Sequence, residues 1–305
     1  MNGTAQSRIV SVSRRTDVAA FYSRWFMGRV RAGFCDSVNP FNARERRVSL
    51  LPEDVVGFVV WTRYAAPMLP HLGELTSRGF RYYFHVTING YGREFEARNP
   101  ELGRAIDSFL ELSDAVSPER ALWRYDPVIL SAATPIEYHA GRFASIARAL
   151  EGRTRRCYFS FLDLYGKTRR NLVALEKRGG PRVSDTGPGA KREVASVLRD
   201  IAASHGITMY GCCEDLVVGD GIEKAHCVDL DLLAPSAPLR LKAAPTREEC
   251  GCVGSVDIGA YDTCRFGCVY CYATNSHEAA VRRARLHEPS DPALWRPNTG
   301  LKASR

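Results

Sequence analysis

The chain has 305 residues, of which 45% are hydrophobic and 25% charged, and its formal net charge at pH 7 is +8. This composition is typical of a globular protein with a large core. Ten cysteines are too few for a disulfide-dense fold in a chain of this length. No apolar run approaches the roughly 20 residues of a membrane span and no signal segment follows Met1, so we expect a cytoplasmic protein without membrane contact.

The positive charge alone does not identify a partner. Excess Lys and Arg are compatible with nucleic-acid binding, because basic side chains neutralise phosphates. The excess is spread along the chain, however, and part of it falls in an exposed helix predicted for residues 278–287. A solvated basic surface is therefore the simpler interpretation, and nucleic acid is kept as an alternative partner.

Six short segments rich in β-branched and aromatic residues predict strands, and segments with helical spacing separate them. Leu102, Ile106 and Phe109 illustrate that helical spacing. The alternation predicts an α/β fold with a mostly parallel sheet, arranged as an open or closed (β/α) barrel. The predicted strands are residues 9–13, 55–61, 81–88, 121–124, 157–162 and 207–210.

Polar side chains follow these predicted strands at their carboxyl ends, where parallel α/β folds form active sites. Arg63 and Arg124 are candidates for binding a carboxylate or phosphate of a cofactor or substrate. A structural role is the alternative for each such residue, since an acid such as Asp17 can cap a helix and Arg–Asp pairs can stabilise the mouth of the fold. The candidates for catalytic groups are Arg14, Asp126, Asp163 and Tyr165.

The chain changes character after residue 230. Residues 231–249 contain several prolines and alanines, which indicates a connecting segment. We therefore predict an α/β barrel-like core at residues 1–230 and a cysteine-rich segment at residues 231–305, packed on the core as part of one domain. Eight of the ten cysteines fall in the last third of the chain, which points to a metal centre there.

The most specific motif consists of Cys264, Cys268 and Cys271 at the spacing C-x3-C-x2-C, after a short strand predicted for residues 255–258. Structural zinc sites and ferredoxin-type clusters normally take four protein ligands. Three thiolates on a 4Fe-4S cluster leave one iron open, and the amino and carboxylate groups of S-adenosylmethionine suit that iron. Gly267 allows a tight turn between the thiols, and Tyr270 is placed to pack beside a bound nucleoside.

A second metal site is a weaker prediction. Cys213, Cys227, Cys250 and Cys252 supply four thiols, enough for an auxiliary iron-sulfur cluster or a closed zinc site, and Cys212 is an alternative to Cys213. Their spacing fits no standard motif. The alternative is that several of them are small buried apolar residues, which is a common location of free cysteine.

The three-cysteine spacing, with an aromatic residue before the third cysteine, resembles the signature of the radical S-adenosylmethionine superfamily. The resemblance implies a partial barrel of six βα units, a 4Fe-4S cluster, S-adenosylmethionine as cofactor and a 5′-deoxyadenosyl radical. It also implies an electron donor such as flavodoxin or ferredoxin and a small-molecule or nucleotide-like substrate.

This chain departs from the superfamily pattern in two ways. The cysteine motif normally follows the first strand, whereas here it lies near the C-terminus, so we expect a circular permutation that moves the cluster-binding βα unit to the C-terminus. The chain also lacks an obvious Gly-Gly-Glu segment, which in many relatives binds the methionyl amino group. Another polar strand end would have to take that role.

The chain resembles a second family over nearly its full length, the bacterial domain of unknown function 1848. That resemblance implies no substrate. It rests on five segments, namely residues 13–17, 39–42, 123–127, 160–163 and 250–272.

Two other functions remain as alternatives. A zinc- or cluster-containing protein that binds nucleic acid without catalysis would use the +8 charge, but zinc modules usually contain paired C-x2-C steps and this chain has one, Cys268 to Cys271. An electron carrier with two clusters would not need a fold with six polar strand ends.

Overall fold

The computed structural model describes residues 8–235, 241–245 and 247–296. The strands in these residues are β1 (Arg8–Val12), β2 (Phe34–Val38), β3 (Glu45–Ser49), β4 (Val55–Thr62), β5 (Tyr82–Thr87), β6 (Ala121–Val128), β7 (Arg156–Phe161), β8 (Thr208–Gly211), β9 (Ile222–Lys224) and β10 (Ser255–Asp257). The α-helices are α1 (Val18–Phe21), α2 (Ser23–Ala32), α3 (Leu72–Ser77), α4 (Leu102–Val116), α5 (Ile136–Ala149), α6 (Gly166–Lys177), α7 (Pro188–Ser204), α8 (Leu230–Leu233) and α9 (His277–Arg285).

All six predicted strands of the core are confirmed as β1, β4, β5, β6, β7 and β8, and the strand before the cysteine motif is confirmed as β10. The sequence prediction missed β9 and the β2–β3 hairpin. In β3 three of five residues are exposed and charged, and β9 has three residues of which two are charged. Neither strand therefore carries an apolar signal.

One sheet organises the described residues, with eight strands in the order β10-β1-β4-β5-β6-β7-β8-β9 and parallel pairing throughout. The last strand in the sequence, β10, pairs in parallel with the first, β1, with Val256 opposite Val10. Among the described residues, no pairing joins the two edge strands β10 and β9. The predicted α/β fold with a mostly parallel sheet is confirmed, whereas hydrogen-bonded closure into a barrel is not observed.

The two faces of the sheet are covered by different parts of the chain. One face packs under the helices and buries large aromatic side chains such as Phe58, Phe84 and Trp123. The opposite face includes Tyr83 and Tyr158, and the segment after β8 packs on it. Burial of each large apolar side chain contributes roughly 1.5–3 kcal/mol, so both layers stabilise the sheet.

Long helices on the first face follow the predicted apolar spacing. In α4 the buried side chains include Ala105, Phe109 and Leu112, which lie on one side of the helix. In the described part of the chain, no helix combines the length and the apolar character that crossing a bilayer requires.

Candidate functional site

Strand β10 leads directly into the cysteine loop, which we define as residues 258–276. The Asp257 carboxylate at the end of β10 accepts hydrogen bonds from the Ser11 hydroxyl (3.1 Å), the Arg14 backbone N–H (2.8 Å) and the Gly259 backbone N–H (2.9 Å). Since Ser11 and Arg14 lie in and just after β1, this carboxylate fixes the start of the loop against the carboxyl end of β1.

Further contacts hold the loop to the same end of the sheet. The Tyr22 hydroxyl donates to the Thr263 carbonyl (2.7 Å), and the Tyr272 hydroxyl donates to the Arg14 carbonyl (2.8 Å). These bonds reach the loop from the segment that follows β1. The loop is therefore docked on the carboxyl edge of the sheet.

The loop also contacts segments that follow β5 and β7. The Val269 N–H donates to the Phe95 carbonyl (2.9 Å), Asn171 on α6 donates to the Val269 carbonyl (3.1 Å), and Lys167 donates to the Tyr272 carbonyl (2.8 Å). The cysteine loop thus extends across the carboxyl edge from β1 to β7. Active sites of parallel α/β folds form at this edge.

Two of the three cysteines of the loop accept backbone hydrogen bonds at sulfur. The Ala273 N–H donates to Sγ of Cys271 (3.3 Å), and the Phe266 N–H donates to Sγ of Cys264. Cys268 instead donates from its Sγ to the side-chain oxygen of Asn99 at 3.4 Å. Backbone N–H donors to sulfur stabilise a thiolate, which is the form that binds a metal.

Two thiols of the loop, Cys264 and Cys268, are protonated at neutral pH when no metal binds them. Burial raises the pKa of Cys264 well above its ordinary value, and burial raises the pKa of Cys268 to about 12 although the Arg63 guanidinium opposes the rise. No three His, Cys, Asp or Glu side chains of the described residues already converge as ligands of one metal ion. In a 4Fe-4S cluster each thiolate binds a different iron, so the three sulfurs need not converge on a single point. The three part-buried thiols, free of disulfides, therefore fit such a cluster as a donor set.

Tyr270, between the second and third cysteines, is buried and held by polar side chains. Its hydroxyl contacts the Glu96 carboxylate, the Arg63 guanidinium (2.6 Å) and the Asn89 amide (3.2 Å). Arg63 also pairs with Glu96 at 2.7 Å. The aromatic residue thereby anchors the loop to the ends of β4 and β5, and its predicted contact with a nucleoside stays a prediction.

A polar cavity of about 220 Å³ lies next to this network. Asn99 and Glu96 line it, and both also contact the loop at Cys268. Asn99 does so through its side chain, and Glu96 does so through its backbone. The cavity presents guanidinium, amide and carboxylate groups from Arg63, Asn89, Arg93, Glu96, Asn99 and Arg142.

The candidates on β6 form an ion pair in which Arg124 is buried and Asp126 is partly exposed. Arg124 contacts Asp126 at 2.6 Å and lies over the ring of Trp61, 5.4 Å from its centroid. The other oxygen of Asp126 accepts a hydrogen bond from the Ser160 hydroxyl on β7. Arg124 also donates to Sγ of Cys227 (3.3 Å). Both candidates are therefore occupied by partners within the chain, as the structural alternative expects.

The candidates after β7 and β1 lie at the same edge. Asp163 pairs with Arg247 and accepts a hydrogen bond from the partly exposed Tyr165 hydroxyl (3.1 Å). The Arg14 guanidinium reaches Ser255 (3.4 Å). The structure thus brings all four predicted catalytic candidates to the carboxyl edge of the sheet.

Sequence reasoning missed Glu96, Asn99 and Arg247. They stand in no motif, and their partners are far away in sequence: Glu96 and Tyr270 are 174 positions apart. Asp17, by contrast, caps α1 as the structural alternative expected, because its side chain accepts the Ala20 N–H.

The cysteines of the predicted second metal site also lie together. Sγ of Cys212 is 3.2 Å from Sγ of Cys227, and Cys252 is within hydrogen-bonding reach of Cys227. Cys213 and Cys250 complete this group, which we call the second cysteine set.

The family described as "Domain of unknown function (DUF1848)" matches residues 9–273. No curated protein matches the chain.

Solved structures resemble the chain only weakly. The carboxyl transferase domain of pyruvate carboxylase from Rhizobium etli has 10% identity and a TM-score of 0.30, and the match covers 70% of this chain and 28% of that one. The pneumococcal virulence factor StrH has 8% identity and a TM-score of 0.29, with 73% of this chain and 58% of that chain covered. A putative alpha-L-fucosidase from Bacteroides thetaiotaomicron has 8% identity and a TM-score of 0.29, with 94% of each chain covered. This chain spans less than two thirds of the first two proteins, and likenesses at these TM-scores carry no argument about its function.

Proposed function

We propose that this chain, which belongs to the DUF1848 family of unknown function, is a radical S-adenosylmethionine enzyme whose cysteine loop holds a 4Fe-4S cluster. The observation that carries the proposal is the position of Cys264, Cys268 and Cys271, in a loop that follows an edge strand and lies across the carboxyl edge of a parallel sheet. Three thiolates leave one iron without a protein ligand.

When bound, the cluster supplies an electron to the sulfonium of S-adenosylmethionine, which breaks a carbon–sulfur bond and gives a 5′-deoxyadenosyl radical and methionine. The chain's own residues bind and orient the reactants and exclude water. Asp257 fixes the loop on β1, and Tyr270 fixes it on Arg63, Asn89 and Glu96.

Arg63 has two roles in this proposal. Its guanidinium lies among Glu96, Tyr270 and Cys268, where it lowers the pKa of the Cys268 thiol against the effect of burial. It therefore stabilises a thiolate on the loop. The same cation also compensates negative charge that builds up when the cluster is reduced.

We assign S-adenosylmethionine to the polar cavity beside Cys268. Glu96 and Asn99 offer acceptors for the N–H groups of the methionyl amine, whose lone pair is left for the open iron, and the guanidinium groups of Arg93 and Arg142 offer donors for the carboxylate. In many relatives a Gly-Gly-Glu segment binds the methionyl amino group. In this assignment, residues that follow β5 take that role.

The sheet order supports the proposed permutation. Strand β10 lies beside β1 and parallel to it, at the position that a first strand would take, although it is last in the sequence. We therefore interpret β10, β1, β4, β5, β6 and β7 as the six strands of a partial barrel, with β10 and α9 as the cluster-binding βα unit.

The mouth of this barrel is where we place the substrate. Asp126, Asp163 and Tyr165 stand at its rim and are the candidates for contact with a small-molecule or nucleotide-like substrate. An external reductant such as flavodoxin or ferredoxin would deliver the electron.

Electron paramagnetic resonance tests the open iron without an assay of turnover. We expect anaerobically reconstituted and reduced protein to give a 4Fe-4S signal that changes when S-adenosylmethionine is added, because the cofactor binds the free iron. Cys268→Ala should lose the part of the signal that responds to S-adenosylmethionine, and Cys35→Ala, which changes a buried cysteine of β2, should keep it. A protein that binds zinc and no cluster at the loop would overturn the proposal.

A further inference from the structure

The second cysteine set gathers thiols from three separate segments of the chain. Cys212 and Cys213 follow β8, Cys227 follows β9, and Cys250 and Cys252 precede β10. None of these five cysteines forms a disulfide. They lie against the face of the sheet that does not carry the long helices. This cluster is separate from the cysteine loop.

The five sulfurs form a continuous series of contacts. Cys212 and Cys227 are 3.2 Å apart at Sγ, and each makes one more thiol hydrogen bond, Cys212 to Cys213 and Cys227 to Cys252. Cys252 in turn bonds to Cys250. A buried cysteine that only fills space contacts apolar carbon. Five sulfurs linked one to the next in a series of contacts therefore indicate another role.

Two guanidinium groups face this set. Arg124 donates to Sγ of Cys227 (3.3 Å), and Arg247 reaches Sγ of Cys212 (3.7 Å). Arg124 is almost fully buried, and Asp126 shares its charge. A buried cation beside thiols stabilises thiolates, which are the metal-binding form of cysteine.

We infer that the second cysteine set is a metal centre with four thiolate ligands, formed by Cys212, Cys227, Cys252 and one of the two partly exposed thiols, Cys213 or Cys250. Zinc and iron-sulfur clusters share this ligand set. The inference does not depend on the function proposed for the cysteine loop, because it rests on other residues.

Binding requires the side chains to rearrange, because among the described residues no three of them already converge as ligands of one metal ion. The 3.2 Å between Sγ of Cys212 and Sγ of Cys227 is a hydrogen-bonded contact, whereas two ligands of a tetrahedral zinc lie about 3.8 Å apart for Zn–S bonds of about 2.3 Å. Loss of the thiol protons removes these hydrogen bonds, and the sulfurs then separate around the metal. The partly exposed Cys213 and Cys250 give the metal a route of entry.

The test uses the full chain with the cysteine loop disabled. The triple variant Cys264→Ala, Cys268→Ala, Cys271→Ala is purified without oxygen, and its iron, zinc and acid-labile sulfide are measured. We expect about one zinc per chain, or iron with sulfide in the ratio of a cluster. Adding Cys227→Ala and Cys252→Ala should remove the metal, whereas adding Cys35→Ala and Cys157→Ala, which change the two cysteines outside both sets, should leave it.

Two results would overturn the inference. One is a folded triple variant that carries no metal while its remaining thiols react with a thiol reagent. The other is a disulfide between Cys212 and Cys227 in anaerobically prepared protein. Should the triple variant not fold, the intact chain decides: Cys252→Ser must lower its total metal content and Cys157→Ala must not, and equal metal content in both contradicts a second centre.

Discussion

Arg63 connects the cysteine loop to the end of β4 through Glu96 and Tyr270. A cation in this position has two effects. It lowers the pKa of the Cys268 thiol, and it lowers the free energy of adding an electron to a bound cluster. The residue is therefore a positioning residue whose effect is measurable without knowledge of the substrate.

We expect Arg63→Met to make the reduction potential of the loop cluster more negative, because a positive charge beside it is lost. The variant should also lose about 3–5 kcal/mol of stability, since Glu96 stays buried without its partner. Arg63→Lys should lie closer to the wild type in both respects. Redox titration followed by paramagnetic resonance, together with urea unfolding, measures the two effects.

The control for this comparison is Arg46→Met, which removes an exposed arginine of β3. Its potential should equal that of the wild type. If Arg63→Met shows the wild-type potential as well, the guanidinium does not act on the cluster.

Asp17 gives a prediction about pH. Burial raises the pKa of this carboxyl from 3.8 to about 6, although it accepts hydrogen bonds from Thr62, Ala20 and Arg63. Between pH 3.8 and about pH 6, the folded chain therefore keeps a proton on Asp17 that the unfolded chain has released. Stability from this group is complete below the unfolded pKa and is lost as the pH rises through the folded pKa.

Asp17→Asn should remove this pH dependence. We expect the stability difference between variant and wild type to change by about 3 kcal/mol from about pH 4 to about pH 7, in favour of the variant at the higher pH. Urea unfolding of metal-free protein at a series of pH values measures it. Parallel stability curves for the two proteins would contradict the assigned pKa.

At the residue scale, the grouping of three thiols in one loop was predictable and the surroundings of that loop were not. The spacing of Cys264, Cys268 and Cys271 is local, so the sequence alone indicated a three-thiol ligand set. Glu96 and Asn89 reach Tyr270 only after the sheet has formed, and neither stands in a motif. Arg247 likewise meets Asp163 from 84 positions away.

At the scale of single elements, hydrophobic period decided what could be predicted. The strands β1 and β4 to β8 are rich in β-branched, aromatic or other apolar residues, and each was predicted. The β2–β3 hairpin was not, because charged residues occupy most of β3 and its register depends on contacts outside the hairpin. One such contact is the hydrogen bond from the Ser37 hydroxyl to the Asp257 carbonyl, 2.8 Å long.

The turn from β10 into the cysteine loop depends on Gly259. A Cβ at this position would overlap with the Ser13 side chain and stand 3.0 Å from Cγ2 of Thr16. Gly259→Ala should therefore push the loop away from β1, lower stability by about 1–3 kcal/mol and reduce the iron bound after reconstitution.

Gly73→Ala on α3 is the matched control, because nothing lies within 4 Å of its added Cβ. It should stabilise the helix by about 0.5–1 kcal/mol and leave iron binding unchanged. Equal iron content in both alanine variants would show that the close approach of Gly259 to β1 does not position the loop.

At the scale of the whole molecule, the order of the strands was only partly predictable. The late position of the cysteine motif indicated a permuted sheet, and the pairing of β10 with β1 agrees with that expectation. The extension of the sheet through β9 was not foreseen, since β9 has three residues. The packing of the second cysteine set on the sheet depends on contacts between segments far apart in the sequence.

The same whole-molecule arrangement places three groups at one edge: the cysteine loop, the polar cavity and the ion pair of Arg124 and Asp126. In the proposed function the radical forms at this edge, next to the substrate. That function requires reductive cleavage of S-adenosylmethionine at the loop.

The most direct measurement is an anaerobic assay for 5′-deoxyadenosine, with reconstituted protein, a strong reductant and S-adenosylmethionine. The proposed function predicts that the wild type and Cys35→Ala form 5′-deoxyadenosine and that Cys268→Ala gives only the background of protein-free buffer. Formation of no 5′-deoxyadenosine by wild-type protein with a full 4Fe-4S cluster, or equal formation by Cys268→Ala, would contradict it.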